Sequence, residues 1–212
     1  CKDNIQGVSG AIYKSFNSES EANAFLNKNG YETVVKKSSA SNRKKSNSSD
    51  IDLTRYNGPI AFVDGSFNND TKEYGYGVVI IEDSHNINEV HLNGKRSNSE
   101  NATMQNVAGE ILASMTAMKY ALDHRFKKLT IFHDYEGIAD WCTGKWKANK
   151  SGTKIYQQFY DYAAESITID FIHVKGHSNS YYNDMVDALA KTALNIPLEK
   201  QSFASKLHPN EQ

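Results

Sequence analysis

Two short apolar runs in this chain end in aspartate. Ile60-Ala61-Phe62-Val63 leads into Asp64, and Leu129-Thr130-Ile131-Phe132-His133 leads into Asp134. Each run reads as a strand buried on both faces. A carboxylate closing such a strand is costly unless a cation or water reaches it. Asp64 followed by Gly65 is also ordinary turn chemistry, so on that stretch alone both readings stand. Two further acids sit on helical patterns. Glu110 lies at the margin of an apolar stripe formed by Val107, Ile111, Met115, Met118 and Leu122. Asp187 lies on the edge of a second stripe, made by Val186, Leu189, Ala190, Ala193 and Leu194, while Asp184 is turned further toward solvent. Carboxylates brought together repel, and one of a close pair takes up a proton unless a cation is present. Oxygen-only donors, with no Cys or His pair beside them, suit Mg2+ or Mn2+.

The elements between these acids can bring them to one place. After the Asp64 strand, 74–81 and 88–92 read as strands separated by an Asp83-Ser84-His85 turn, an antiparallel meander. The period then changes to that of a helix over 103–124, followed by the Asp134 strand. Strand, helix and strand with parallel ends form a crossover unit, and ligands bind outside the carboxyl ends of such strands. Asp64 and Asp134 are therefore expected to face one crevice. A short helix over 136–143 precedes the stretch GKWKANKSGTK at 144–154, which carries four lysines and Trp146 but no acid. A helix over 154–164, a strand over 168–174, a Gly176-His177 loop and a last helix over 182–194 complete the pattern.

Length and composition bound the rest. A chain of 212 residues accommodates one or two domains, and a net charge of −1 leaves nucleic-acid affinity to local basic patches. Cys1 and Cys142 offer no disulfide framework, which points to a reducing, cytoplasmic setting, and no apolar run is long enough for a membrane span. The chain begins with Cys1 rather than Met, so further residues are expected ahead of it. At 36–50, five of fifteen residues are basic and six are Ser, with no large apolar side chain, as in a solvated tether. Secondary phosphate contact by Lys36, Lys37, Arg43, Lys44 and Lys45 is the other reading of that tether. The division expected is a small module over 1–30, a flexible linker over 31–55, a main domain over 56–195 and a tail over 196–212.

Asp64-Gly65-Ser66, Asn106-Val107-Ala108-Gly109-Glu110, His133-Asp134-Tyr135 and Val174-Lys175-Gly176-His177, with Asp187 ten residues beyond, resemble type 1 ribonuclease H. Ahead of them, Ala11-Ile12-Tyr13-Lys14-Ser15-Phe16 and Glu21-Ala22-Asn23-Ala24-Phe25-Leu26 resemble the second half of the viroplasmin-like, hybrid-binding module found before some of these enzymes. The resemblance implies an α/β ribonuclease H-like fold, a five-stranded mixed sheet flanked by helices, preceded by a small partial α+β module. It implies hydrolysis of the RNA strand of RNA/DNA hybrids with two Mg2+ ions, Mn2+ being an alternative, to leave 3′-hydroxyl and 5′-phosphate ends. Asp64, Glu110, Asp134 and Asp187 would be the metal ligands, with Asp64 bridging both ions, and His177 would assist proton transfer or product departure. Asn106 would read the RNA 2′-hydroxyl, and Gly65 and Ser66 would let the backbone approach the scissile region. In the partial module, Lys14 and Phe16 match the duplex-contacting positions.

The stretch after Asp134 is too short for the extra basic helix of some bacterial relatives. The grip on the DNA strand would then fall to Trp141, Lys145, Trp146, Lys147 and Lys150, with Trp141 equally readable as core. A monomer is expected. Two alternatives remain in view: a non-catalytic hybrid-binding protein, and a nuclease or strand transferase of the same superfamily acting on DNA. The first has no need of four acids at metal-compatible positions, and the Gly176-His177 loop and Asn106 argue against the second.

Overall fold

A computed structural model describes residues 51–175 and 181–198. The readings made for Lys14, Phe16, the module at 1–30 and His177 lie outside the described residues. The centre is a five-stranded sheet in the order β3-β2-β1-β4-β5. Strands β1 (Ile60–Phe67), β2 (Tyr74–Ile81) and β3 (Glu89–Arg96) are the expected antiparallel meander, with β3 running four residues further than its apolar pattern. Strands β4 (Lys128–His133) and β5 (Thr168–His173) add parallel to β1.

Side chains alternate across β1 because successive Cβ atoms leave a strand on opposite faces. Ala61 and Val63 enter a core shared with Val78, Ile80, Ile111, Met118, Ile131 and Tyr156. Ile60 and Phe62 enter the other, with Val79, Ile81, Phe132, Met185 and Val186. The first face is covered by α2 (Asn106–Asp123), α3 (Gly137–Cys142) and α4 (Ser151–Ala164), and the second by α5 (Tyr181–Ala193). Phe62 stacks on Phe132 at 4.7 Å and on Tyr182 at 4.5 Å, locking α5 to the two central strands. Leu53, in the stretch read as linker, is 7% exposed and belongs to this second core.

Three local expectations shift. The helix expected over 103–124 is α2, beginning three residues later at Asn106, and a short extra helix precedes it: α1 (Ser99–Ala102) is capped by Asn98, and Gln105, at φ 53°, separates it from α2. α4 begins at Ser151, inside the stretch read as a basic loop. The buried stripe of α2 is also not the one its large residues suggest. Ala108, Ala113, Ala117 and Ala121 are buried along with Ile111 and Met118, whereas Val107, Met115 and Leu122 lie at the margin. Small residues let the helix close onto the sheet, so the contact follows backbone proximity rather than side-chain size. A Cβ on Gly65 would strike the Asn106 carbonyl and the Glu110 amide, and one on Gly109 would strike the Gly75 carbonyl. On the opposite face a Cβ on Gly77 would strike the Val186 carbonyl of α5.

Candidate active site

Pairing between β1 and β4 runs from Ile60 against Thr130 to Phe62 against Phe132. Asp64 and Asp134 each lie two residues beyond the last pair, where the two strands part, Asp134 just past the end of β4 and Asp64 within β1, which continues to Phe67 rather than ending at the acid as expected. Asp64 is partly buried, and its Oδ1 accepts a hydrogen bond from the Gly65 amide at 2.7 Å. Burial, then the negative charges of Asp134 and Asp187, push its carboxyl up to about 8, opposed by the Gly65 amide and the Lys191 cation.

Glu110 reaches the same place from α2. It is 2% exposed, deeper than its sequence position suggests, because the small residues of α2 carry the helix backbone down to β1. Its Oε1 accepts from the Tyr135 amide at 3.3 Å. Burial first, then the charges of Asp134 and Asp64, hold its carboxyl well above the usual carboxylate range. Asp187 approaches from α5, with its Oδ2 accepting from Lys191 Nζ at 2.8 Å. Of the two acids on that helix, Asp187 is the one whose charge acts on Asp64.

The four acids therefore share one electrostatic neighbourhood, although among the described residues no three metal-ligating side chains form a ready-made cage. The donor set fits hard divalent cations nonetheless. It is composed of carboxylate oxygens, and Asp64 and Glu110 are held toward protonation first by burial and then by the repulsion of neighbouring carboxylates, which a divalent ion removes.

Two neighbours were not singled out from sequence. Lys191 could have been found from its spacing of four residues after Asp187, a favourable helical ion-pair arrangement. His133 had no such signal. It is 1% exposed, its Nδ1 donates to the Tyr135 carbonyl at 3.0 Å, and burial holds it neutral. It thereby fixes the turn that carries Asp134. On the strand beside it, His173 Nε2 donates to the Asp134 carbonyl at 2.9 Å.

Beside the acids is a shallow depression of about 400 Å3, lined in part by Met104, Val107, Tyr135, Trp141, Lys147 and Lys150. Asn106 is exposed at the start of α2, directly after the strained Gln105. Trp146 is 37% exposed, whereas Trp141 is 8% exposed and packs into the core, so Trp146 presents the accessible ring. Lys147 and Lys150 are exposed. Lys145 is turned instead onto Asp140, its Nζ 3.2 Å from Oδ1. Ser66 is partly buried, and the space that Gly65 leaves is filled by the α2 backbone. The close approach expected at Gly65 is thus one of helix to strand.

Residues 57–195 match the family model described as RNase H, and residues 1–26 match that of the Ribonuclease H1 N-terminal domain. Among curated proteins, the ribonuclease H of Aliivibrio salmonicida is 30% identical over 151 residues, 65% of this chain and 88% of that protein. That of Neorickettsia sennetsu is 26% identical over 144 residues, 62% of this chain and 89% of the relative. Among solved structures, RNase H1 of the archaeon Halobacterium salinarum superposes with a TM-score of 0.54 at 19% identity, covering 66% of this chain and 98% of that one. LC11-RNase H1 in complex with an RNA/DNA hybrid gives 0.51 at 18% identity, covering 64% and 99%.

Proposed function

Because this chain belongs to the ribonuclease H family, we propose that it hydrolyses the RNA strand of RNA/DNA hybrids, with Mg2+ as the metal. The observation that carries this reading is the shared neighbourhood of Asp64, Glu110, Asp134 and Asp187, where burial first and then neighbouring carboxylates hold Asp64 and Glu110 above the usual carboxylate range. Asp64, Glu110 and Asp134, with Asp187 from the opposite side, would hold two divalent ions. Bound there, such ions activate a water and stabilise the leaving 3′-oxygen of an in-line displacement. Mn2+ satisfies the same oxygen donors.

The chain's own residues do the rest. The Tyr135 and Gly65 amides orient Glu110 and Asp64. His133, held neutral, keeps the Asp134 turn in place without adding charge. Lys191 restrains Asp187 and offsets part of the cluster's negative charge. Asn106, exposed at the start of α2, would contact the RNA 2′-hydroxyl, the group by which a protein tells RNA from DNA. Trp146, Lys147 and Lys150 would hold the DNA strand by stacking and phosphate contact. A hybrid is the ligand in the solved complex of the related LC11-RNase H1, which supports the same substrate class here. His177 would serve proton transfer or product departure. We also propose that the enzyme works as a monomer in a reducing, cytoplasmic compartment, in keeping with the free buried thiol of Cys142.

The test is cleavage of a labelled RNA/DNA hybrid with Mg2+, beside RNA/RNA and DNA/DNA duplexes of the same sequence. Cleavage of the RNA strand of the hybrid alone is expected, with 5′-phosphate and 3′-hydroxyl products. Cutting of DNA/DNA, or binding of the hybrid without turnover, would overturn the reading.

A further inference from the structure

One buried acid next to the site has no part in the reaction as described. The Asp140 side chain is 9% exposed, with its Oδ1 on Lys145. Its Oδ2 is buried without a hydrogen-bond partner. A buried carboxylate with one oxygen unmet costs stability that an apolar residue of similar volume would not. What Asp140 does at this cost is hold a loop. Its carbonyl accepts from the Trp146 amide at 2.9 Å, while its carboxylate takes Lys145, so the same residue grips two successive positions. Gly144, at φ 75°, turns the chain back over the end of α3 to make both contacts. The loop then runs directly into Lys147 and Lys150, which line the depression beside the acids. The Trp146 ring packs edge-on against Tyr135 at 6.1 Å and Trp141 at 6.0 Å, leaving one side open.

Lys145 stands in the middle of this basic stretch but differs from its neighbours. An ammonium resting on a carboxylate presents little net field to a phosphate beyond it. Lys147 and Lys150 carry no such partner among the ion pairs of the described residues.

We propose that Asp140 and Lys145 are a positioning pair that holds Trp146, Lys147 and Lys150 toward the substrate, and that Lys145 itself makes no phosphate contact. This rests on the hybrid as substrate. Lys145→Met and Asp140→Asn should each raise KM by about 3–10-fold and leave the single-turnover rate at saturation unchanged. The double variant should be no worse than the worse single one, since the two side chains act as a unit. Lys145→Arg should restore KM. In an Asp64→Asn background, which stops turnover, Lys145→Met should keep the slope of log affinity against log salt. Lys147→Met and Lys150→Met should each make it shallower by about 0.9. Acrylamide quenching of tryptophan fluorescence, measured without substrate, should increase in both Asp140→Asn and Lys145→Met as the ring of Trp146 is released.

The proposal is overturned if Lys145→Met reduces the salt slope by about one while Asp140→Asn leaves KM unchanged or lowers it. It is equally overturned if quenching rises but hybrid binding does not change, since the tie then serves the loop alone. Lys145 is 71% exposed, so its variants carry the test should Asp140→Asn fail to fold. Quenching needs no turnover, so loss of the hybrid-cleavage reading and loss of the loop tie are separately visible.

Discussion

Asp64→Asn separates the role of this acid in folding from its role in catalysis. An acid whose folded-state pKa lies above its unfolded value binds its proton more tightly when folded. Stability is then full at low pH and declines as pH rises toward the folded value, remaining low above it. For Asp64 that window runs from its ordinary 3.8 to about 8. The corresponding penalty on the ionised form reaches about 5–6 kcal/mol. Water reaches this partly exposed residue, and screening reduces the effect to about 2–3 kcal/mol. Asparagine keeps the shape and can still accept from the Gly65 amide, but carries no charge. Removing that charge also relieves Glu110, whose carboxyl Asp64 helps to hold up. In metal-free buffer at pH 9, Asp64→Asn should therefore melt about 5–10 °C above the wild type. At pH 5, about a third of the way into that window, only about a third of this advantage should remain. Adding Mg2+ at pH 9 should stabilise the wild type much more than the variant, and hybrid cleavage by the variant should be lost. Melting curves at the two pH values, with and without Mg2+, check all of this. A variant less stable than wild type at pH 9, or an advantage equal at pH 5 and pH 9, would refute the reasoning.

Other perturbations follow from the same geometry. Asp187→Asn should lower the rate of hybrid cleavage at least about 100-fold, and Asp184→Asn by only a few-fold; a side-by-side rate measurement giving the reverse order would show that α5 presents the other acid. Gly65→Ala should cost about 3 kcal/mol or more in urea unfolding, because its Cβ meets the α2 backbone at Asn106 and Glu110, where no side chain can move aside. A neutral result there would mean that α2 stands further from β1. Deleting residues 1–50, which keeps Ile51 and Leu53 on the second core, should raise KM without changing the single-turnover rate at saturation. The salt slope should become shallower by about 0.9 for each phosphate contact removed, and an unchanged slope would leave that segment without a part in binding.

Asp64 and Asp134 were legible in the sequence because each closes a largely apolar run, the second broken only by Thr130 and His133, and the helix between them forces the two runs to lie parallel. The meander, the crossover and the order of the acids follow from local periodicity, which the chain carries residue by residue. Glu110 was legible as an acid near an apolar stripe, but its depth was not. Large side chains mark the stripe in the sequence, whereas Gly65, distant along the chain on β1, and Gly109, set against the Gly75 carbonyl, decide how near α2 comes to the sheet. Trp141 and Trp146 likewise share one composition and one stretch of chain, and only packing against Tyr135 and the core makes one an interior ring and the other an exposed one. Lys145 reads like Lys147 and Lys150 until the turn at Gly144 returns it to Asp140. Sequence alone determined which acids were present and on which strands and helices they would be carried. Tertiary structure decided which of these groups are buried, paired or free, because burial and pairing depend on partners brought close by folding rather than by position along the chain.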